Sequence, residues 1–119
     1  MPPRDLMLAV DAQLAHVWMV RAFLKHSDEA QEDDELAEVH RELYDYMLAL
    51  GGPLKEGNAE EYLKLARKKL GKLKKATEEF AEIQPQVSTH TNFQMAVASL
   101  RTAAGEVAKL LESGGDVSI

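Results

Sequence analysis

Apolar residues recur at intervals of three and four in four separate stretches of this chain, and glycine, proline or polar turn residues interrupt the pattern between them. That period presents one apolar stripe on an α-helix, whereas a half-buried strand needs strict alternation, which the chain lacks. Leu6, Val10, Leu14, Val17, Val20 and Leu24 form the first stripe, and Met7, Leu8, Met19 and Phe23 widen it. The spacing predicts a first helix over 4–26 that touches two neighbours. A second helix is expected over 28–50, with Leu36, Val39, Leu43, Met47 and Leu50 on one face and Gly51-Gly52-Pro53 as its stop. The third, over 58–83, opens on Asn58 with Glu61 three residues on, carries Leu63, Ala66, Leu70, Leu73, Thr77 and Phe80, and stops at Pro85. The fourth, over 90–112, carries Phe93, Ala96, Leu100, Ala103, Val107 and Leu110 before Gly114-Gly115, and its alanines predict a close approach to a partner helix.

Short connections favour antiparallel neighbours, so the expected fold class is all-α, an antiparallel up-down-up-down four-helix bundle in a single domain over 1–119. The rival is a three-helix core with one helix given to a dimer partner. A chain of 119 residues suffices for one domain of this kind. The absence of cysteine excludes disulfides, thiolate metal sites, iron–sulfur clusters and cysteine nucleophiles. Apolar runs such as Leu6–Val10 and Val17–Val20 are far below the ~18 residues of a bilayer span. Arg4, Asp5 and Asp11 interrupt any signal-peptide core. A soluble, acidic, cytoplasmic protein without membrane contact is therefore expected.

Charge is sorted along the chain. Nine carboxylates and one base, Arg41, lie between Asp28 and Asp45, whereas seven bases and no acid lie between Lys64 and Lys75. In an antiparallel pair turning within 51–57, Asp33 falls near Lys75, Glu35 near Lys72 or Lys74, and Glu42 near Arg67, so the two stretches are expected to compensate one another. Each exposed pair contributes ~0.2–1 kcal/mol, which favours pairing specificity over bulk stability. Lys64, Lys68, Lys72 and Lys75 remain as an outer ridge suited to an acidic partner. No aromatic residue interleaves with them for base stacking, so nucleic acid is not the expected ligand.

The four histidines are the remaining chemistry. In a hairpin turning near Ser27 and Asp28, His16 and His40 fall in one layer, while His26 and His90 fall where the first and third loops meet, near Asp28, Glu29, Glu32 and Ser88. The His16–His40 pair is short of ligands for a metal, because the Glu-x-x-His signature of carboxylate-bridged bundles is absent, and the polar residues around His26 and His90 are of the kind that gather at helix termini for capping and hydration. His90-Thr-Asn-Phe-Gln, with Leu111-Glu112 downstream, is faintly similar to histidine phosphotransfer domains, which are four-helix bundles of about this length. The resemblance implies a phosphorylatable His90, but Phe93-Gln94 stand where that family carries a Lys-Gly pair. No phosphate-binding loop or catalytic triad is readable, and no cofactor is implied. The expected function is a non-enzymatic interaction or scaffolding module, a homodimer or bound to another protein, acting through an apolar strip at Met7, Leu8, Trp18 and Met19. A phosphotransfer-like bundle using His90, or a weak metal-binding bundle using His16 and His40 or His26 and His90, is the alternative.

Overall fold

A computed structural model describes residues 1–116, with side chains through Glu112, and all its regular structure is helical: α1 Pro3–Lys25, α2 Asp28–Glu32, α3 Asp34–Glu56, α4 Ala59–Val87 and α5 Thr91–Asp116. Side-chain caps explain most of the starts. Ser27 Oγ accepts from the Ala30 N–H (3.3 Å), Asp33 Oδ1 from Leu36 (3.0 Å) and Asn58 Oδ1 from Glu61 (3.1 Å). Two caps six residues apart divide the stretch expected to be one helix. Asp33 takes an extended backbone (φ −105°, ψ 116°), and α2 is the short turn before it, held by the buried Ala30.

The second long helix does not stop at Gly51-Gly52-Pro53. Leu50 on one side of these residues and Leu54 on the other both reach the core, so the apolar stripe continues across them. Glycine costs only about 1 kcal/mol in a helix interior, and Pro53 removes a single backbone bond to Ala49; burial outweighs both. The helix ends instead at Gly57, whose φ of +69° is left-handed. There Gly57 N–H donates to Leu54 O (3.1 Å) and Asn58 N–H to Pro53 O (2.8 Å), satisfying two terminal carbonyls. Pro85 likewise fails to end α4. Gln84 is buried and Val87 packs on the core, so the helix continues to Val87, with Gln84 Nε2 donating to Ser88 O at 2.8 Å. At the far end α5 also runs through Gly114 and Gly115.

Packing follows a ring: α1 lies against α3 and α5, α3 against α4, and α4 against α5, with α1 also reaching α4 and α2 bridging α1 and α3. All four long helices contribute to one buried cluster that includes Leu14, Leu43, Tyr62, Phe80 and Leu100. The three-helix core is thereby replaced by a shared one. On α5 the buried positions include Ala96, Ala103 and Ala104. Two phenols stitch the interior: Tyr46 donates to Ala66 O (3.1 Å) across α3 and α4, and Tyr62 donates to Asp11 Oδ1 (3.3 Å) across α4 and α1. Burial pushes both hydroxyls well above the ordinary tyrosine range, so both stay protonated donors.

The expected charge pairing between the acidic and basic helices does not form. Because the hairpin closes at Gly57, Glu42 and Asp45 share a cleft with Lys72 and Lys69, and Arg67 is no longer opposite Glu42. Among the described residues no ion pair within 4.0 Å joins α3 to α4. Arg67 and Lys74 turn to α5 instead, donating to Leu111 O (3.3 Å) and meeting Glu112 (3.5 Å), and Arg101 of α5 meets Glu78 of α4 (3.2 Å).

The glycines on either side of the true helix end should respond oppositely to alanine. Gly51 is helical with open space around its Cα and, unlike Gly52, does not directly precede Pro53, so Gly51→Ala should raise stability by about 0.5–1 kcal/mol. Gly57→Ala should lower it by about 1–2 kcal/mol, the cost of a left-handed L-residue. Urea denaturation of the two variants checks both signs.

Candidate functional site

The face of α1 turned away from the core carries a second apolar seam. Leu8, Ala12, Ala15, Met19, Ala22 and His26 follow one another at steps of four and three, the spacing with which one helix meets another. Leu8 and Met19 are 46% and 65% exposed, Ala12 and Ala15 are exposed, and no charged residue interrupts the seam. Met7, expected beside Leu8 in a partner-binding strip, is instead 1% exposed and belongs to the core. One residue is 100° of helix, enough to carry Met7 onto the opposite stripe with Val10 and Leu14. By length and composition alone α1 is also apolar enough to cross a membrane, contrary to the expectation from its short runs. The two apolar faces together account for that.

Trp18 lies at the edge of this seam, over the groove between α1 and α3. With Tyr44 and Leu48 it lines a cavity of about 420 Å³ that extends to Gly51 and Gly52. Beneath it is Arg21, only 6% exposed. Its guanidinium carbon is 3.9 Å from the Trp18 ring centre and 5.6 Å from that of Tyr44. Its Nη1 donates to His40 Nε2 at 3.4 Å, and its buried Nε has no partner. No carboxylate compensates it among the described residues. Two aromatic faces and one imidazole hold this cation, and a desolvated cation–π contact contributes about 2 kcal/mol. The sequence signal for this residue is an arginine on the core stripe, at the third position of Leu14, Val17, Arg21, Leu24; counting only apolar residues passes over it.

His40 is half-buried, and its pKa lies below the ordinary histidine value, first because burial disfavours the charged ring and then because Arg21, Lys25 and Arg41 are nearby cations. Since an arginine N–H can only donate, Nε2 is the acceptor and the neutral ring carries its proton on Nδ1. His16 does not share this layer. It is exposed, and α2 displaces α3 along α1 so that Arg21 takes the place opposite His40.

His26 and His90 line one open cleft of about 620 Å³ with Met19, Glu29, Ser88 and Phe93. Phe23 and Phe93 pack edge to face beside it, with ring centres 4.9 Å apart. His90 Nδ1 accepts from the Asn92 N–H (3.0 Å), which makes the histidine a cap of α5. Among the described residues no three histidine or carboxylate side chains gather as a metal site there or around His16 and His40. Lys64, Lys68, Lys72 and Lys75 are all exposed along one side of α4; Lys75 meets Glu79 at 3.8 Å, and Lys72 shares its cleft with Glu42 and Asp45.

The lowered pKa of His40 has a definite sign for stability. The unfolded chain binds a proton at this position more readily than the folded one, so the contribution is fully present above about pH 6.5 and is lost as pH falls from there through the folded-state value. His40→Gln should flatten the dependence of the thermal midpoint on pH below 6.5, which melts between pH 5 and 8 would measure.

Comparison with protein-family models, with curated proteins and with solved structures returns no match for this chain.

Proposed function

We propose that the protein is a non-enzymatic interaction module, an antiparallel up-down-up-down four-helix bundle that forms a homodimer through the outer seam of α1. The observation that carries this reading is the exposed Leu8, Ala12, Ala15 and Met19 at helix-packing spacing, opposite a stripe already committed to the core. Opposed numbering across α4 and α5, with Arg67 at Leu111 and Glu78 at Arg101, supports the antiparallel arrangement. Alanines at the centre of a seam allow two helix axes to approach to about 8 Å, the lower end of the usual range. In a twofold, antiparallel pairing Leu8 of one protomer meets Met19 of the other, so a single surface serves both copies. Trp18, 43% exposed, extends the contact towards the groove.

A cysteine-free chain with a net charge of −6 suits a soluble protein of the reducing cytoplasm, with no cofactor required. The lysine ridge of α4 is a secondary surface for an acidic partner protein. Phosphotransfer at His90 and metal binding at the histidines have less support: the His90 ring caps its helix, His16 and His40 lie in different layers, and among the described residues no third ligand joins His26 and His90.

Sedimentation equilibrium tests the dimer. The parent chain should associate, and Ala15→Glu and Met19→Glu should each weaken association at least tenfold, about 1.4 kcal/mol, with circular dichroism unchanged. A parent chain that stays monomeric at high micromolar concentration, or glutamate variants that dimerise normally, would remove the seam from this role.

A further inference from the structure

We infer that the open cleft between α1, α2 and α3 beside His40 binds a small amphiphilic carboxylate, its head among Lys25, His40 and Arg41 and its apolar body against Ala37 and the Tyr44 ring, above the covered side chains of Leu24 and Leu36. The cavity measures about 380 Å³, within the range of small-molecule pockets. Its polar lining consists of Lys25, Gln31, His40, Arg41 and the phenol of Tyr44, and among the described residues no carboxylate lines it. That is notable in position, because α2 and α3 belong to the most acidic stretch of the chain, with nine carboxylates between Asp28 and Asp45. The acids of these helices face elsewhere, and Glu38 approaches the cavity only through its ion pair with the exposed Arg41.

Behind His40 lies the buried, carboxylate-free guanidinium of Arg21. In a medium that screens poorly, this charge favours an anion on the far side of the imidazole. The Nδ1–H of His40 has no hydrogen-bond partner among the described residues and is the donor such an anion would use. Lys25 adds a full charge from the rim. The mainly apolar wall favours a singly charged head with a hydrocarbon body over a phosphate dianion, whose desolvation would find too few donors. The groups facing His40 are Arg21 and Lys25 from α1, Gln31 from α2, and Arg41 and Tyr44 from α3, all cationic or neutral. An entering carboxylate thus brings the first negative charge to the ring and raises its affinity for a proton.

Octanoate is the probe. Titrated into the full chain, it should bind saturably at one site, shift the imidazole resonances of His40 and raise its titration midpoint. The fluorescence of the sole tryptophan, Trp18, stacked on Arg21, should respond as well. Octanol, equal in chain length and uncharged, should bind at least tenfold more weakly. Lys25→Gln, at an exposed position that leaves the core untouched, should weaken octanoate several-fold without altering octanol, and His40→Ala should abolish the discrimination between them. Binding should persist in Ala15→Glu, which separates this site from the dimer seam. Octanol binding as tightly as octanoate, or no saturation by low millimolar octanoate, would overturn the assignment.

Discussion

The left-handed backbone at Gly57 sets where α3 ends, and that end sets the register of α3 against α4. Each residue by which a hairpin turn moves along the chain changes which side chains meet across it. With the turn at Gly57, Tyr46 reaches the Ala66 carbonyl and Glu42 and Asp45 come to share a cleft with Lys72 and Lys69. Arg67 and Lys74 are released to α5, where they tie the last helix to the preceding one. An L-residue pays about 1–2 kcal/mol for this conformation and glycine does not, so one position controls a geometry felt along two long helices.

α1 is the most heavily committed element, and it is committed twice. Its inner stripe supplies Leu6, Met7, Val10, Leu14 and Val17 to the core, and its outer seam leaves Leu8 and Met19 in solvent. Arg21 stands between these roles as a buried cation facing two rings and a neutral imidazole. A guanidinium without a carboxylate partner is an expensive thing to bury, and aromatic faces recover only part of the lost hydration. The residue stands behind a cleft lined by Lys25, His40 and Arg41 in a protein that is acidic as a whole. The outer seam and the His40 cavity thus offer two chemically different surfaces on neighbouring sides of one helix, the first apolar and self-complementary in spacing, the second cationic around an apolar floor.

Much of the helical content is legible in the chain, residue by residue. Asn58 followed by Glu61 announces the start of α4, and the stripes through Leu43, Leu73 and Leu100 are the buried ones. The helix stops are less legible. Gly51-Gly52-Pro53 carries every local stop signal, yet Leu50 and Leu54 continue the apolar stripe across it, and burying them outweighs a propensity cost of about 1 kcal/mol per glycine. Met7 and Leu8 look equivalent in the sequence, and only the direction of the core separates them. Of the candidate site, Leu8, Trp18 and Met19 are recognisable as excess apolar surface, and His40 as a histidine beside a core stripe. Arg21 escapes a reading by apolar periodicity because its own stripe is defined without it.

The sequence by itself determined that the chain is helical, where its four apolar stripes lie, that Asn58 starts one of the helices, and that thiol chemistry is closed to it. Those properties are local: they follow from the spacing of side chains within a few turns and from the presence or absence of an element type. Tertiary structure alone decided the register of the hairpins, the partner of His40, the side of α1 that faces solvent and the destination of the basic side chains of α4. Register depends on where helices end, and an end reflects a contest between backbone propensity and the burial of distant side chains, two quantities of similar size. Sorted charge could not settle that contest, because exposed ion pairs of ~0.2–1 kcal/mol yield to the packing of the stripes beneath them.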